Sequence, residues 1–163
     1  MEAFNSGKTE IVDEVHNPKL LDHTPALRTS VNDPILGVKQ QIEMYRRVFP
    51  DVRFKEEFII AEGNMVFMRW QMTGTFKGKL FGRKGNGKKI SFHGHEILKL
   101  DDKGKIQEHM DTFNVVAFLD KLGLMDTKML QSLKKAGVLE VAGDKSVMYD
   151  EAAAPAGKKK PGS

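Results

Sequence analysis

GKKISFHGHEILKLDDKGKIQEHMDTF, residues 87–113, reads as two β-strands folded back on each other, and the architecture follows from it. The run KKISFHGHEILKL is rich in β-forming residues, DDKG at 101–104 is a tight turn, and KIQEHMDTF is the returning strand. Two earlier runs have the same character, FKEEFIIAEGN from Phe54 and MVFMRWQMTGTF from Met65, parted by a turn at Gly63-Asn64. Glycine-containing turns at 74–87 connect them to the quoted stretch, so the four strands form an antiparallel meander.

Outside the meander the period becomes helical. Asp33-Pro34 resembles an N-cap followed by a first-turn proline, and Ile35, Val38, Ile42, Tyr45 and Phe49 recur at three and four, giving a helix over 35–48 that Pro50 ends. A short helix is expected at Thr9–Val15, closed by Pro18. Another covers Val115, Val116, Phe118, Leu119 and Leu122 up to Gly123, with a further one at 127–136. Helices segregated from hairpin-linked strands define an α+β fold. One domain over residues 1–143 is expected, followed by a disordered tail over 144–163, since AAAPAGKKKPGS at its end has no large apolar group.

A chain of 163 residues with 40% apolar content can bury one core. Lys and Arg number 26 against 22 Asp and Glu, a mild excess spread over a loop and the tail, which argues against a nucleic-acid partner. Cysteine is absent, which excludes disulfides and thiolate chemistry. No apolar stretch is long enough to span a membrane and no leader is visible, so a cytoplasmic protein without membrane partners is expected.

Chemistry concentrates on the last two strands. Alternation puts His93 and His95 on one face and Phe92, Gly94 and Glu96 on the other; in the next strand it puts His109 and Asp111 together. The short turn makes the strands neighbours and predicts that these imidazoles and the carboxylate converge. A buried carboxylate beside imidazoles can remove a proton next to a carbonyl while a histidine holds the developing oxyanion. Three other patterns are weaker. Gly82 to Lys89 imitates a phosphate loop but has Lys89 in place of Ser or Thr and leads into a strand. His93-x-His95 with His109 or Asp111 could make a two-His, one-carboxylate metal site, yet no second half of such a motif follows, and neither metal nor cofactor is expected. The cations between Lys77 and Lys89 read as a solvated loop.

LLDHTP (21–26), GVKQQIEMYRRVFPDVRF (37–54), AEGNMVFMRWQMTGTFKG (61–78) and the segment 87–123 together resemble the SnoaL-like polyketide cyclase or ester cyclase family. The resemblance implies a cone-shaped α+β barrel of the nuclear transport factor 2-like kind, a curved antiparallel sheet and N-terminal helices enclosing a pocket. It also implies cofactor-free acid/base chemistry on a small hydrophobic molecule, with Asp111 at the position of the proton-abstracting aspartate. Met110 stands where the family has tryptophan, His95 where it has an aliphatic residue, and only the end of the family's first helix is kept, around Ala3–Gly7.

The candidate catalytic set is therefore Asp111, His95 and His109, with His23, Trp70, His93 and Arg69 as substrate-binding candidates. Three functions remain open: a cyclase or isomerase, a non-catalytic small-molecule binding module, and an epoxide hydrolase-like enzyme, the last weakened by Arg69-Trp70-Gln71 where an Arg-x-Asp arrangement is required. A homodimer is expected through the outer sheet face, with Trp70 or its neighbours at the interface.

Overall fold

In the computed structural model, which describes residues 1–23, 33–126, 128, 131 and 132, short helices α1 (Glu2–Ser6) and α2 (Glu10–Val15) lead into strand β1 (His16–Asp22). Helix α3 (Pro34–Val48) then precedes strands β2 (Arg53–Glu62) and β3 (Met65–Thr75), the two-residue strands β4 (Lys79–Leu80) and β5 (Arg83–Lys84), the long strands β6 (Lys89–Leu100) and β7 (Ile106–Phe113), and helix α4 (Val115–Lys121). The chain divides into two compact units, Met1–Met125 and Asp126–Ser163. In the second, Lys128, Gln131 and Ser132 are helical; the rest of the helix expected over 127–136, the boundary at 143 and the tail lie outside the described residues.

Helix α3 begins where the sequence places it. The Asp33 side chain accepts the backbone N–H groups of Ile35 at 2.9 Å and Leu36 at 3.1 Å, and Pro34 occupies a position where a missing N–H costs nothing. Its buried stripe, Val38, Ile42, Tyr45 and Val48, continues through Phe49. That stripe meets two apolar clusters. Tyr45, Phe49, Phe54, Trp70, Met72, Phe92 and Phe118 belong to the larger; Ala3, Val12, Leu20, Val38 and Ile42 form the smaller.

The main sheet is ordered β1-β7-β6-β3-β2. The meander from β2 to β7 is antiparallel, as the hairpin turns require, while β1 adds a parallel strand beside β7. Sequence reading missed β1 because Asn17 and Pro18 look like a helix stop. Proline is tolerated on an edge strand, and the register of β1 is broken between His16 and Leu21, around that proline.

One irregularity positions the site. Through most of the β6–β7 ladder the partners are Leu98 with His109, Glu96 with Asp111 and Gly94 with Phe113, but a bulge between Lys99 and Leu100 makes the turn-closing pair Leu100 with Ile106. A one-residue shift moves every side chain of one strand to the other face relative to its neighbour. Glu96 therefore shares a face with Asp111, and His95 is opposite Thr112.

Candidate active site

Between the N-terminal helices, α3 and the inner face of the sheet lies a cavity of about 410 Å³. Its apolar walls include Val12, Val38, Ile42, Phe54, Met68, Trp70 and Leu98, and its polar groups include His16, Tyr45, Glu56, Glu96, His109 and Asp111. Gly94 makes room for the indole of Trp70, which lies across it: a Cβ on Gly94 would meet Trp70 Cζ2 at 2.2 Å. Phe54 and Phe92 meet the indole edge-on, with centroids at 5.4 and 5.7 Å.

Glu96, His109 and Asp111 form the polar floor. His109 Nδ1 lies 3.3 Å from Asp22 Oδ1 on β1, and its Nε2 lies 3.9 Å from Glu96 Oε2. Burial pulls the His109 pKa down, but the hydrogen bond to Asp22 and the negative charges of Glu96, Asp111 and Asp22 outweigh it and raise the pKa above its ordinary value. Glu96 is also raised, first by loss of solvation and further by the charge of Asp111, against the opposing charge of His109. His16, from the first residue of β1, contributes a neutral ring: burial lowers its pKa, and its Nδ1 lies 3.0 Å from the Val12 carbonyl, which accepts its proton. Burial, and then the charge of Asp111, push the Tyr45 hydroxyl up, so it remains a protonated donor.

Of the seven residues expected from sequence, Asp111, His109 and Trp70 line this cavity, and His93, His95, Arg69 and His23 do not. The expected convergence of His93 and His95 with Asp111 is corrected: they are on the opposite face of the sheet, because the bulge sets β7 one residue out of the register that the turn alone predicts. On that outer face His93 Nε2 is 3.1 Å from Glu57 Oε1, Arg69 Nε is 2.5 Å from Glu57 Oε2, and His95 stacks on Phe67 at 5.6 Å. The Arg69 guanidinium holds the Glu57 carboxyl below its ordinary range. His23 faces Glu108 at 3.6 Å, and its backbone N–H donates to the His109 carbonyl at 2.8 Å. His93 and His95 cannot share an ion with His109 or Asp111 through the sheet, and among the described residues no group of three His, Asp or Glu is arranged to hold a metal. Arg69 and Gln71, both on the outer face, leave the epoxide hydrolase arrangement without its residues in the cavity.

Glu96 and His16 were missed. The signal for Glu96 was available: Ile90, Phe92 and Leu98 mark the even positions of β6 as its apolar face, and Glu96 is the carboxyl group on that stripe. His16 and Asp22 carried no readable signal, since the strand that holds them was not recognised.

The family model for SnoaL-like polyketide cyclases matches residues 1–122. This chain belongs to that family. Solved structures superpose on it: IdmH, a proposed polyketide cyclase from Streptomyces antibioticus, is 26% identical with a TM-score of 0.65, covering 75% of this chain and 91% of its own. A proposed polyketide cyclase from Bacillus cereus is 27% identical with a TM-score of 0.64, covering 76% and 75%. AclR from Streptomyces galilaeus, described as a proposed hydroxylase, is 26% identical with a TM-score of 0.64, covering 77% and 90%. No curated protein sequence matches the chain. The SnoaL-like α+β fold expected from sequence is thus the observed one, and the cavity occupies the space between its sheet and helices. Among the described residues no helix is long and apolar enough to cross a membrane.

Proposed function

We propose that the protein is a cofactor-free enzyme of the cyclase type, moving protons between the Asp111–Glu96 pair and a hydrophobic carbonyl compound. The observation that carries this reading is the cross-strand placement of two carboxyl groups on the cavity floor, one of them held toward its protonated form by burial. Unequal environments for paired acids divide the labour between base and acid. Asp111, as carboxylate, takes a proton from the carbon beside a carbonyl while Glu96 gives its proton to the carbonyl oxygen, leaving a neutral enol. As the enol carbon attacks a second carbonyl and closes the ring, the enol proton returns to Glu96 and the new alkoxide takes the proton held by Asp111. Both groups end as they began. The His109 imidazolium, fixed by Asp22, stabilises the charge that develops between them.

Single-turnover kinetics on a cyclisable β-keto ester tests this. Asp111→Asn is expected to lower the rate about a hundredfold or more with folding intact, the range for loss of a general base, and Glu96→Gln to lower it comparably. Full activity in Asp111→Asn would overturn the assignment.

The protein is further proposed to be a homodimer. Ile60, Phe67, Ile97 and Met110 occupy one register row across four strands on the outer face, with Ile60 61%, Met110 46% and Ile97 39% exposed. Such a row suits a self-complementary two-fold contact. Trp70, expected there from sequence, is instead buried on the cavity side. Light scattering of Ile97→Lys is expected to give an 18 kDa species against a dimer for the unaltered chain; a monomer in both refutes the interface.

A further inference from the structure

The cavity has a sign. Resting on its reading as a substrate site, we propose that it selects ligands carrying a protonated amine on an apolar body and rejects anionic ones. Four carboxyl groups line it, Glu2, Glu56, Glu96 and Asp111; among the described residues no Lys or Arg does, although the chain has 26. Its own cations are few. His16 is kept neutral by burial, and the single imidazolium of His109 already serves Asp22 at 3.3 Å and Glu96 at 3.9 Å, with Asp111 beside it.

The walls add a second preference of the same sign. Phe4, Tyr45, Phe54 and Trp70 line the cavity as a connected aromatic group, with Phe4–Phe54 centroids at 4.8 Å, Phe54–Trp70 at 5.4 Å and Tyr45–Phe54 at 5.7 Å. Aromatic faces attract a desolvated ammonium, and the carboxylates supply its hydrogen-bond acceptors. An anion would meet like charge, and of the cations at hand the His109 imidazolium is already paired with Asp22 and the Met1 amino group faces Glu96.

Without such a ligand, burial and then the charges of Asp111 and Glu56 favour the protonated form of Glu96. The groups facing Glu96 are Asp111 and His109 from β7, Glu56 from β2 and the amino group of Met1; β3 presents Met68, and α3 presents the uncharged Gln41 and Tyr45. An ammonium arriving beside Glu96 favours its ionised form, so an amine seated there releases a proton to solvent and, by removing the acid, inhibits turnover. Affinity for the amine therefore rises with pH while Glu96 ionises, and affinity for a neutral analogue does not.

Trp70, the single tryptophan of the chain, reports the test from inside the cavity. Three probes share one rigid body that is transparent at the excitation wavelength: 1-adamantylmethylamine, 1-adamantanemethanol and adamantane-1-carboxylate. Titration followed by Trp70 emission is expected to show the amine binding at least tenfold more tightly than the alcohol and the carboxylate more weakly than either. Glu96→Gln is expected to bring amine and alcohol within about threefold. On the unaltered protein, calorimetry of the amine in two buffers of different ionisation enthalpy is expected to reveal proton release, so the conclusion does not depend on a variant that folds. Equal or tighter binding of the carboxylate, an amine preference that survives in Glu96→Gln with no proton release, or no response to any probe overturns the proposal. Because binding needs no turnover, a protein without cyclase activity can still pass, and loss of the charge preference leaves the Asp111 assignment to its own assay.

Discussion

Replacing Gly94 by alanine would place a methyl carbon 2.2 Å from Trp70 Cζ2, 2.5 Å from Cη2 and 2.7 Å from Cε2. Ordinary carbon contacts are about 3.5–4.0 Å, so the indole must retreat by roughly 1.5 Å. It is 3% exposed and held on its flanks by Phe54, Phe92 and Phe113, with the cavity as its one direction of retreat. Overpacking a filled core costs about 1–3 kcal/mol, and a clash with a rigid ring held on several sides belongs at the upper end, about 3 kcal/mol. For a domain of this size that is a drop of roughly 10 °C in Tm. Urea unfolding of Gly94→Ala, followed by far-UV circular dichroism, gives the number. A partner substitution gives the cause: Trp70→Phe removes the clashing ring carbons together with an indole N–H that is buried without a hydrogen-bond partner among the described residues, so Gly94→Ala/Trp70→Phe should lose less than the sum of the single changes by about 1 kcal/mol or more. Additive losses, or a Gly94→Ala protein within about 0.5 kcal/mol of the original, would refute the view that this glycine exists to seat the indole.

His93→Ala and His95→Ala should keep turnover within about threefold of the original protein, since both rings are across the sheet from the cavity; a hundredfold loss in either would restore the convergence expected from sequence. His109, whose folded pKa lies above its ordinary 6.5, contributes stability that is complete below that value and fades as pH rises through the folded one. The urea midpoint should therefore fall on going from pH 6 to pH 8, and Asp22→Asn should flatten that dependence; an unchanged slope would refute the pairing. Asp33→Ala removes the acceptor for two N–H groups at the start of α3 and should cost about 1 kcal/mol by thermal unfolding, with activity unaffected once folded.

The strands and α3 were legible because their signals are local. Turn chemistry at Gly63-Asn64 and DDKG, β-rich runs and the Asp33-Pro34 cap each act within a few residues. The site was only half legible because it depends on which strand faces which. Asp111 and His109 were found from alternation within β7, but their partners required the register between β6 and β7, which the bulge at Lys99 and Leu100 sets one residue away from the turn's own pairing. Under the pairing that Leu100 and Ile106 begin, His95 would have been opposite Asp111, which is the arrangement expected from sequence. Strand β1 was lost for a different reason. Its hydrogen bonds are made to β7, some ninety residues later, and its own residues, with Pro18 among them, have no strand signature.

The extra residue of that bulge also sets how such a cavity changes over a lineage. A point substitution in β7 alters one lining group and keeps the rest, a small move among neighbouring chemistries. Deleting the extra residue, Gln107, would keep every other pair from Lys99 with Glu108 to Gly94 with Phe113, but losing the bulge at constant length, with Gln107 drawn opposite Lys99, is a different kind of move, because it turns the strand over at once: His109, Asp111 and Phe113 would face outward, and Glu108, Met110 and Thr112 would face in. Two alternative interiors are thus written in one strand, interleaved, and the presence of the bulge decides which is displayed. Changes that abolish the bulge without shortening the strand are expected to replace the chemistry of the cavity wholesale while leaving its scaffold intact.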